Sequence, residues 1–228
     1  MHHRWPTLTL LALGLMMNAA HLPASQLIEV IGLEYPPFSS LTMKDGGINN
    51  RLLRAYFSGR SDVDIVNVYY PPARAQSIIA NEQWCASFYP PSQGRVGDVK
   101  FIKLRDEPVD MGIFRLKHKD EFRWESLSEF KGSSMAILRF VLEGPYFKRF
   151  TDAGINIVEV GSLQQSYKLV LSGRVDYAVG DMDSMHYALD NIITEKELQF
   201  SDTLLRSVDV GVFVHPNCHE VFFETTKH

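Results

Sequence analysis

Four side chains of the sequence have the chemistry to hold a small charged ligand. Arg95 follows a loop with two prolines, and its planar guanidinium can donate two parallel hydrogen bonds to a carboxylate. Asp181 follows an apolar run, where open α/β sheets bind ligands, or it caps the helix that comes next. Tyr35 and Phe38 lie on a proline-flanked loop, where an aromatic ring holds a cation, covers an apolar ligand or joins the core. These residue types favour recognition of a small carboxylate or ammonium compound.

The sequence lacks the motifs of several catalytic and cofactor-binding classes. It contains no Gly-x-Ser-x-Gly elbow, no phosphate-binding loop and no dinucleotide-binding fingerprint. His215, Cys218 and His219 are close in sequence, but Pro216 interrupts the helix that would place two histidines together, and a fourth ligand is missing. We therefore expect no metal, no cofactor and no catalytic activity.

Alternating strand and helix patterns must position these residues. Strand patterns occupy residues 27–33, 63–69, 84–88, 109–115, 134–138, 156–160, 175–181 and 207–214. Helix patterns occupy residues 49–58, 124–130, 144–153, 164–171 and 184–191, with a further helix opened by Pro71 and Pro72. The alternation predicts parallel-type sheets with helices on both faces. Because no Gly/Ser-rich linker separates the halves, we expect two α/β lobes joined by strands.

Composition and the first residues indicate an exported globular protein. The 228 residues carry a net charge of −4 and no basic stripe, so we expect no nucleic-acid binding. The apolar run 8–17 is too short to span a membrane, and small residues follow it, as in a secretory signal peptide over residues 1–25. The alternative is an uncleaved anchor. Export permits a disulfide between Cys85 and Cys218; the alternative is two separate buried thiols.

Four segments, taken in order, carry a resemblance to a known family. They are Tyr-Pro-Pro-Phe at 35–38, Gly-Gly-Ile-Asn-Asn-Arg-Leu-Leu-Arg at 46–54, Tyr-Pro-Pro-Ala-Arg-Ala at 70–75, and Ser-Gly-Arg-Val-Asp-Tyr-Ala-Val-Gly-Asp at 172–181. Over about residues 27–214 the sequence resembles the family 3 extracellular solute-binding proteins, the amino-acid-type periplasmic binding proteins of bacterial transporters.

The resemblance implies a two-lobed, Venus-flytrap fold of the type II periplasmic-binding-protein class, with a ligand cleft between the lobes. Residues 26–105 and 212–228 would form lobe 1, and residues 106–211 would form the hinge segments and lobe 2. The two crossings would lie near 106–110 and 206–211. Family members usually close lobe 1 with further helix after the last strand. We expect that cover to be short or missing here, because the sequence stops at His228.

The resemblance also assigns roles to particular residues. Arg95 falls where family members bind the ligand carboxylate, and Asp181 matches the carboxylate that receives the ligand ammonium. In lobe 2, the segment 138–144 replaces the usual Gly- and Ser/Thr-rich loop, so Arg139 is a candidate substitute for its lost N–H groups. Weaker ligand-binding candidates are aromatic or basic residues of lobe 1: Tyr70, Arg74, Phe88 and Tyr89. The alternative for Arg74 is a surface ion pair.

The expected function is binding of an amino acid or related small carboxylate by a periplasmic monomer. The closed form would be recognised by an ABC permease or a membrane sensor. One alternative is a dehydratase-like periplasmic enzyme with Glu143 or Asp181 as acid or base. Another is a sensing module for a separate membrane receptor.

Overall fold

Two sheets organise the protein in a computed structural model that describes residues 25–91, 97–139, 145–189 and 197–223. The first sheet contains β1 (Gln26–Gly32), β2 (Val63–Tyr69), β3 (Ala86–Ser87), β4 (Lys100–Lys103) and β11 (Gly211–Val214). Its spatial order is β2-β1-β3-β11-β4. The strand β1 is parallel to β2 and β3, whereas β11 is antiparallel to β3 and β4.

The second sheet, like the first, contains both parallel and antiparallel pairs of strands. It contains β5 (Val109–Leu116), β6 (Ser134–Leu138), β7 (Asn156–Val160), β8 (Tyr177–Gly180), β9 (Leu198–Phe200) and β10 (Arg206–Val208). The spatial order is β10-β5-β8-β6-β7, and β9 pairs with β5. The strands β6, β7 and β8 form the parallel part, and β5 is antiparallel to β8, β9 and β10. We call each sheet with its helices a lobe, first and second in chain order.

The chain crosses twice between the lobes. The outward crossing lies between β4 and β5, and the return lies between β10 and β11. The sequence predicted one strand over 207–214, which is wrong, because the backbone changes sheets after Val208. There β10 pairs with β5, and three residues later β11 pairs with β4. The predicted two-lobed α/β fold with crossing hinge strands is confirmed.

Helices cover both faces of the first sheet. The helices of the chain are α1 (Ile48–Tyr56), α2 (Pro72–Asn81), α3 (Pro145–Asp152), α4 (Leu163–Leu171), α5 (Met182–Ala188) and α6 (His219–Phe223). Alternate residues of β1 point to opposite faces. Ile28 packs with Leu53 of α1 and Phe222 of α6, whereas Ile31 packs with Ile79 of α2. The alternating direction of the β1 side chains therefore lets helices pack on both faces of this sheet.

The second lobe has the same layering. On one face of its sheet, Ile137 packs with Phe150 of α3 and with the aromatic residues around the 3-10 turn Leu127–Phe130. On the other face, Ala136 packs with Leu163 and Val170 of α4. None of the helices in the described part of the chain has the length and apolar character needed to cross a bilayer.

A disulfide fixes the last described segment to the first lobe. It joins Cys85 to Cys218, whose Cα atoms are 5.4 Å apart although 133 positions separate them in sequence. The backbone N–H of His215 donates to the carbonyl of Cys85 at 2.9 Å. The helix α6 that follows has five residues, and Phe222 on it is buried against the first sheet.

Candidate functional site

A cavity of about 210 Å³ lies between the two lobes. The first lobe contributes Glu34, Tyr70, Pro72 and Tyr89, and the second contributes Leu138, Arg139, Val160 and Gly161. These residues lie at or just beyond the carboxyl ends of five strands, β1, β2, β3, β6 and β7. Parallel strands end at the same edge of a sheet, where open α/β sheets bind ligands. The cavity is therefore the place where the carboxyl ends of the parallel strands of both sheets meet.

The described cavity lining contains one basic and one acidic side chain, on opposite lobes. Arg139 directly follows β6 and is exposed, with its Nε atom 3.4 Å from an Oε atom of Glu159. Glu34 accepts hydrogen bonds from the hydroxyl of Ser40 and, at 3.0 Å, from the backbone N–H of Leu41. These bonds hold the Glu34 carboxylate against its own loop. A guanidinium on one wall and a carboxylate on the other suit a small polar ligand.

The loop that carries Glu34 and Tyr35 is fixed by the start of α1. The backbone N–H groups of Ile48 and Asn49 donate to the carbonyls of Pro37 and Phe38 at 3.0 and 2.8 Å. Helix N-termini leave such N–H groups without partners inside the helix, so the loop carbonyls satisfy them. Gly47 precedes α1 with a φ of 95°, and a Cβ there would lie 2.7 Å from both carbonyl oxygens. Glycine at this position therefore permits the close approach of loop and helix.

Tyr35 crosses from the first lobe to Asp181 in the second. Its hydroxyl donates to Oδ2 of Asp181 at 2.7 Å, and the Oδ1 atom accepts from the backbone N–H of Ser184 at 2.8 Å. Asp181 is only 1% exposed. The hydroxyl of Tyr167 also donates to the Asp181 carbonyl at 3.3 Å. Asp181 thus caps α5 and holds Tyr35 with the same carboxylate.

Burial governs the protonation of this pair. It raises the pKa of Asp181 above its ordinary value, although hydrogen bonds from Ser184 and Tyr35 act in the opposite direction. Burial also raises the pKa of Tyr35 well above its ordinary value, and the nearby Asp181 charge raises it further. Tyr35 therefore stays a neutral hydrogen-bond donor over the physiological range.

The remaining candidates from the sequence lie in several places. Phe38 is buried with Tyr35 against the second lobe, and the guanidinium of Arg105 lies over its ring at 5.5 Å. Phe88 is buried in the first-lobe core. Arg74 forms an ion pair with Glu82 on the exposed side of α2.

Three sequence predictions lie outside the described residues. They are Arg95 as a ligand-binding residue, Glu143 as the acid or base of an enzyme, and the signal peptide over residues 1–25, of which the structure describes only residue 25. The other residue considered for that role, Asp181, is enclosed with Tyr35. Among the described residues, no cluster of three or more His, Cys, Asp or Glu side chains has the arrangement of a metal site.

The sequence reasoning singled out Tyr70, Tyr89 and Arg139, and the structure brings these three to one cavity. It did not single out Glu34 or Gly161. Both lie within two residues of a strand's carboxyl end, which is where open α/β sheets bind ligands. Considering the residues that follow every predicted strand would therefore have found them.

Comparison with known proteins finds solved structures with a similar fold. No protein-family model matches the sequence, and no curated protein matches it. Among solved structures, the ligand-binding core of GluR0 from Nostoc punctiforme, in complex with L-glutamate, is 15% identical with a TM-score of 0.63; the match covers 85% of this chain and 86% of that chain. An ancestral arginine-binding protein bound to arginine is 17% identical with a TM-score of 0.62, covering 89% of each chain.

A third similar structure is that of ytmK from Bacillus subtilis, a probable amino-acid ABC transporter extracellular-binding protein. It is 14% identical with a TM-score of 0.63, and the match covers 87% of this chain and 88% of that chain. At such identities the likeness concerns the fold. The chain therefore has the two-lobed α/β fold of the family 3 solute-binding proteins and related ligand-binding domains.

Proposed function

We propose that the protein binds a small polar solute, an amino acid or related small carboxylate, in the interlobe cavity. The observation that carries this proposal is that both lobes direct the carboxyl ends of their strands, with Arg139 and Glu34, toward one cavity. The bound form is then recognised by a transporter or a membrane sensor.

The size and chemistry of the cavity support a small carboxylate. Its volume of about 210 Å³ is below the roughly 300–1,000 Å³ of sites for drug-sized ligands. Arg139 supplies a planar donor suited to a carboxylate, and Tyr70 supplies aromatic surface on the facing lobe, where the largely buried Tyr89 also borders the cavity. The ligand is therefore compact and carries at least one carboxylate.

The structural neighbours support the same class of ligand. The GluR0 core was solved with L-glutamate and the ancestral protein with arginine, and ytmK is described as a probable component of an amino-acid ABC transporter. Together with the apolar run near the N-terminus, they favour a role in the periplasm. We propose lobe 1 as residues 26–105 and 212–228, and the hinge segments with lobe 2 as residues 106–211.

A thermal-shift screen tests the proposal. The chain from Ser25 onward is heated with single amino acids, dicarboxylates, short peptides and polyamines. A solute present at 100 times its Kd adds about 2.7 kcal/mol to the free energy of unfolding. For a chain of this size that corresponds to a rise in Tm of roughly 5–10 °C. We expect such a rise with one or more small carboxylates.

A pair of tyrosine variants shows whether the solute lies in the cavity. Tyr70 lines the cavity, whereas Tyr187 is an exposed tyrosine of α5 that does not. Tyr70→Ala should reduce the shift, and Tyr187→Ala should leave it unchanged. A panel in which no carboxylate raises Tm, or a shift that Tyr70→Ala leaves intact, contradicts the proposed site.

A further inference from the structure

A pair of arginines in the second lobe lies outside the interlobe cavity. Arg149 belongs to α3, and Arg206 begins β10, the strand that precedes the return crossing. The guanidinium carbon of Arg149 is 4.7 Å from the centroid of the Tyr146 ring, and that of Arg206 is 4.4 Å from the same centroid. One aromatic ring therefore holds two positive charges close together.

The Tyr146 ring is itself fixed against the core of the lobe. It makes an edge-to-face contact with Phe150, with 5.8 Å between the ring centroids, and packs against the aromatic cluster that includes Phe150. Phe150 is fully buried. Attraction to a fixed ring holds each guanidinium group in place, so less side-chain entropy is lost when it binds a further group.

The two arginines have no acidic partner in the part of the chain that the structure describes. Within residues 25–91, 97–139, 145–189 and 197–223, neither guanidinium group donates a hydrogen bond or forms an ion pair. By contrast, Lys148, the neighbour of Arg149 on α3, pairs with Asp152. Neighbouring positive charges repel each other, and the N–H groups of both arginines can still donate. The pair is therefore a set of charged donors that lacks an acceptor among these residues.

Both charges act at one place that solvent reaches. Arg206 is exposed and Arg149 is half-buried. Burial raises the pKa of Tyr146 above its ordinary value, whereas the charges of Arg206 and Arg149 lower it, so both guanidinium groups lie near its hydroxyl. The two guanidinium carbons are no farther apart than the sum of their distances to the ring centroid. Hydrogen bonds from both groups to one tetrahedral oxyanion can span such a separation.

We propose that Arg149 and Arg206 form an oxyanion-binding site on the second lobe, separate from the solute cavity, which takes a divalent anion of the sulfate or phosphate class. A divalent oxyanion matches the two positive charges and accepts hydrogen bonds from both guanidinium groups. The described lining of the cavity includes neither arginine. The bound anion links α3 to β10.

Tyr146 is the positioning residue of this site, and it acts through its ring. Its hydroxyl is enclosed and has no hydrogen-bond partner among the described residues. The ring holds both guanidinium groups. Removal of the hydroxyl should therefore leave the site intact, and removal of the ring should weaken it.

Isothermal titration calorimetry with sodium sulfate and with sodium phosphate tests the site. Sodium chloride keeps the ionic strength constant, so general screening is the same throughout the titration. We expect saturable binding with a Kd of about 1 mM or tighter. Arg149→Gln and Arg206→Gln should each raise that Kd by about tenfold or more, because each removes a charged donor. Both change side chains that solvent reaches, so both variants are expected to fold.

The matched control is Lys148→Gln. It removes a positive charge from the same helix, one that pairs with Asp152, and it should change the Kd by less than about twofold. Tyr146→Phe, which keeps the ring, should also change the Kd by less than about twofold. Tyr146→Leu, which removes the ring, should raise the Kd by about threefold or more.

Three results would overturn the inference. The first is the absence of saturable binding by the parent protein up to about 10 mM anion. The second is equal affinity in the parent, Arg149→Gln and Arg206→Gln. The third is binding that Arg139→Ala abolishes and Arg206→Gln leaves intact, because the anion would then lie in the interlobe cavity. A solute screen without any hit would contradict the proposed function alone, since the two sites share no described residue.

Discussion

At the scale of single residues, the sequence singled out Tyr35 and Asp181 but did not predict their contact with each other. Tyr35 and Asp181 were both predicted to contact ligand, yet they contact each other across 146 positions of sequence. The helix-capping alternative for Asp181 was visible from Ser184 three residues on, because capping is a local interaction. The Tyr35 contact depends on how the lobes meet, and no local pattern encodes that.

The burial of the Asp181 carboxyl group predicts how the stability of the protein depends on pH. Its pKa is raised from 3.8, chiefly by burial, and Tyr35, Tyr167 and Asp183 are the titratable groups that face it. The folded protein then binds this proton more tightly than the unfolded chain does. The stability that the folded protein gains by binding this proton is therefore fully present below pH 3.8, and it is lost as the pH rises through the raised pKa of Asp181.

Chemical unfolding of the parent and of Asp181→Asn between about pH 3 and pH 7 measures this effect. Asparagine caps α5 without titrating, so it isolates the proton on Asp181. The free energy of unfolding of the parent, relative to the variant, should fall as the pH rises. A relative stability that rises over this range would show that the pKa is lowered in the folded protein.

At the scale of helices and strands, elements with strong local patterns were predicted well. The strands β2, β6 and β7 begin and end at the predicted residues, because each alternates or runs apolar between turn residues. The short strands β4 and β9 and the helix α6 were not predicted. The strand β4 has two lysines in four residues, and it exists because β11 pairs with it. Such strands depend on tertiary partners rather than on their own residues.

The disulfide between Cys85 and Cys218 is expected to stabilise the folded protein. Replacing both cysteines, as Cys85→Ser with Cys218→Ser, releases a loop of 133 residues. The free energy of unfolding should fall by about 2–5 kcal/mol, because the unfolded chain regains conformational entropy. Denaturant unfolding of the parent and the double variant measures the difference.

Dithiothreitol supplies the control for the disulfide. It should lower the stability of the parent to that of the double variant and leave the double variant unchanged. Equal stability of the oxidised parent and the double variant would mean that the cross-link does not constrain this protein.

At the scale of the whole molecule, the two crossings place the carboxyl-end edges of the two sheets face to face across the cavity. Because β5 and β10 pair where the chain passes between lobes, both crossings lie side by side. Side-by-side crossings form a hinge about which the lobes can move as units. The cavity lies between those units, so its occupancy and the closure of the lobes are coupled.

The most direct test of solute binding in this cavity is calorimetric titration of an arginine pair. Arg139 lines the cavity, whereas Arg123 is a comparably exposed arginine of the second lobe that pairs with Glu121 and Asp202. The solute used is the small carboxylate that raises Tm most. We predict that Arg139→Ala raises the Kd for this solute by about tenfold or more, and that Arg123→Ala changes the Kd by less than about twofold. Equal affinity in the parent and both variants would contradict binding at the interlobe cavity.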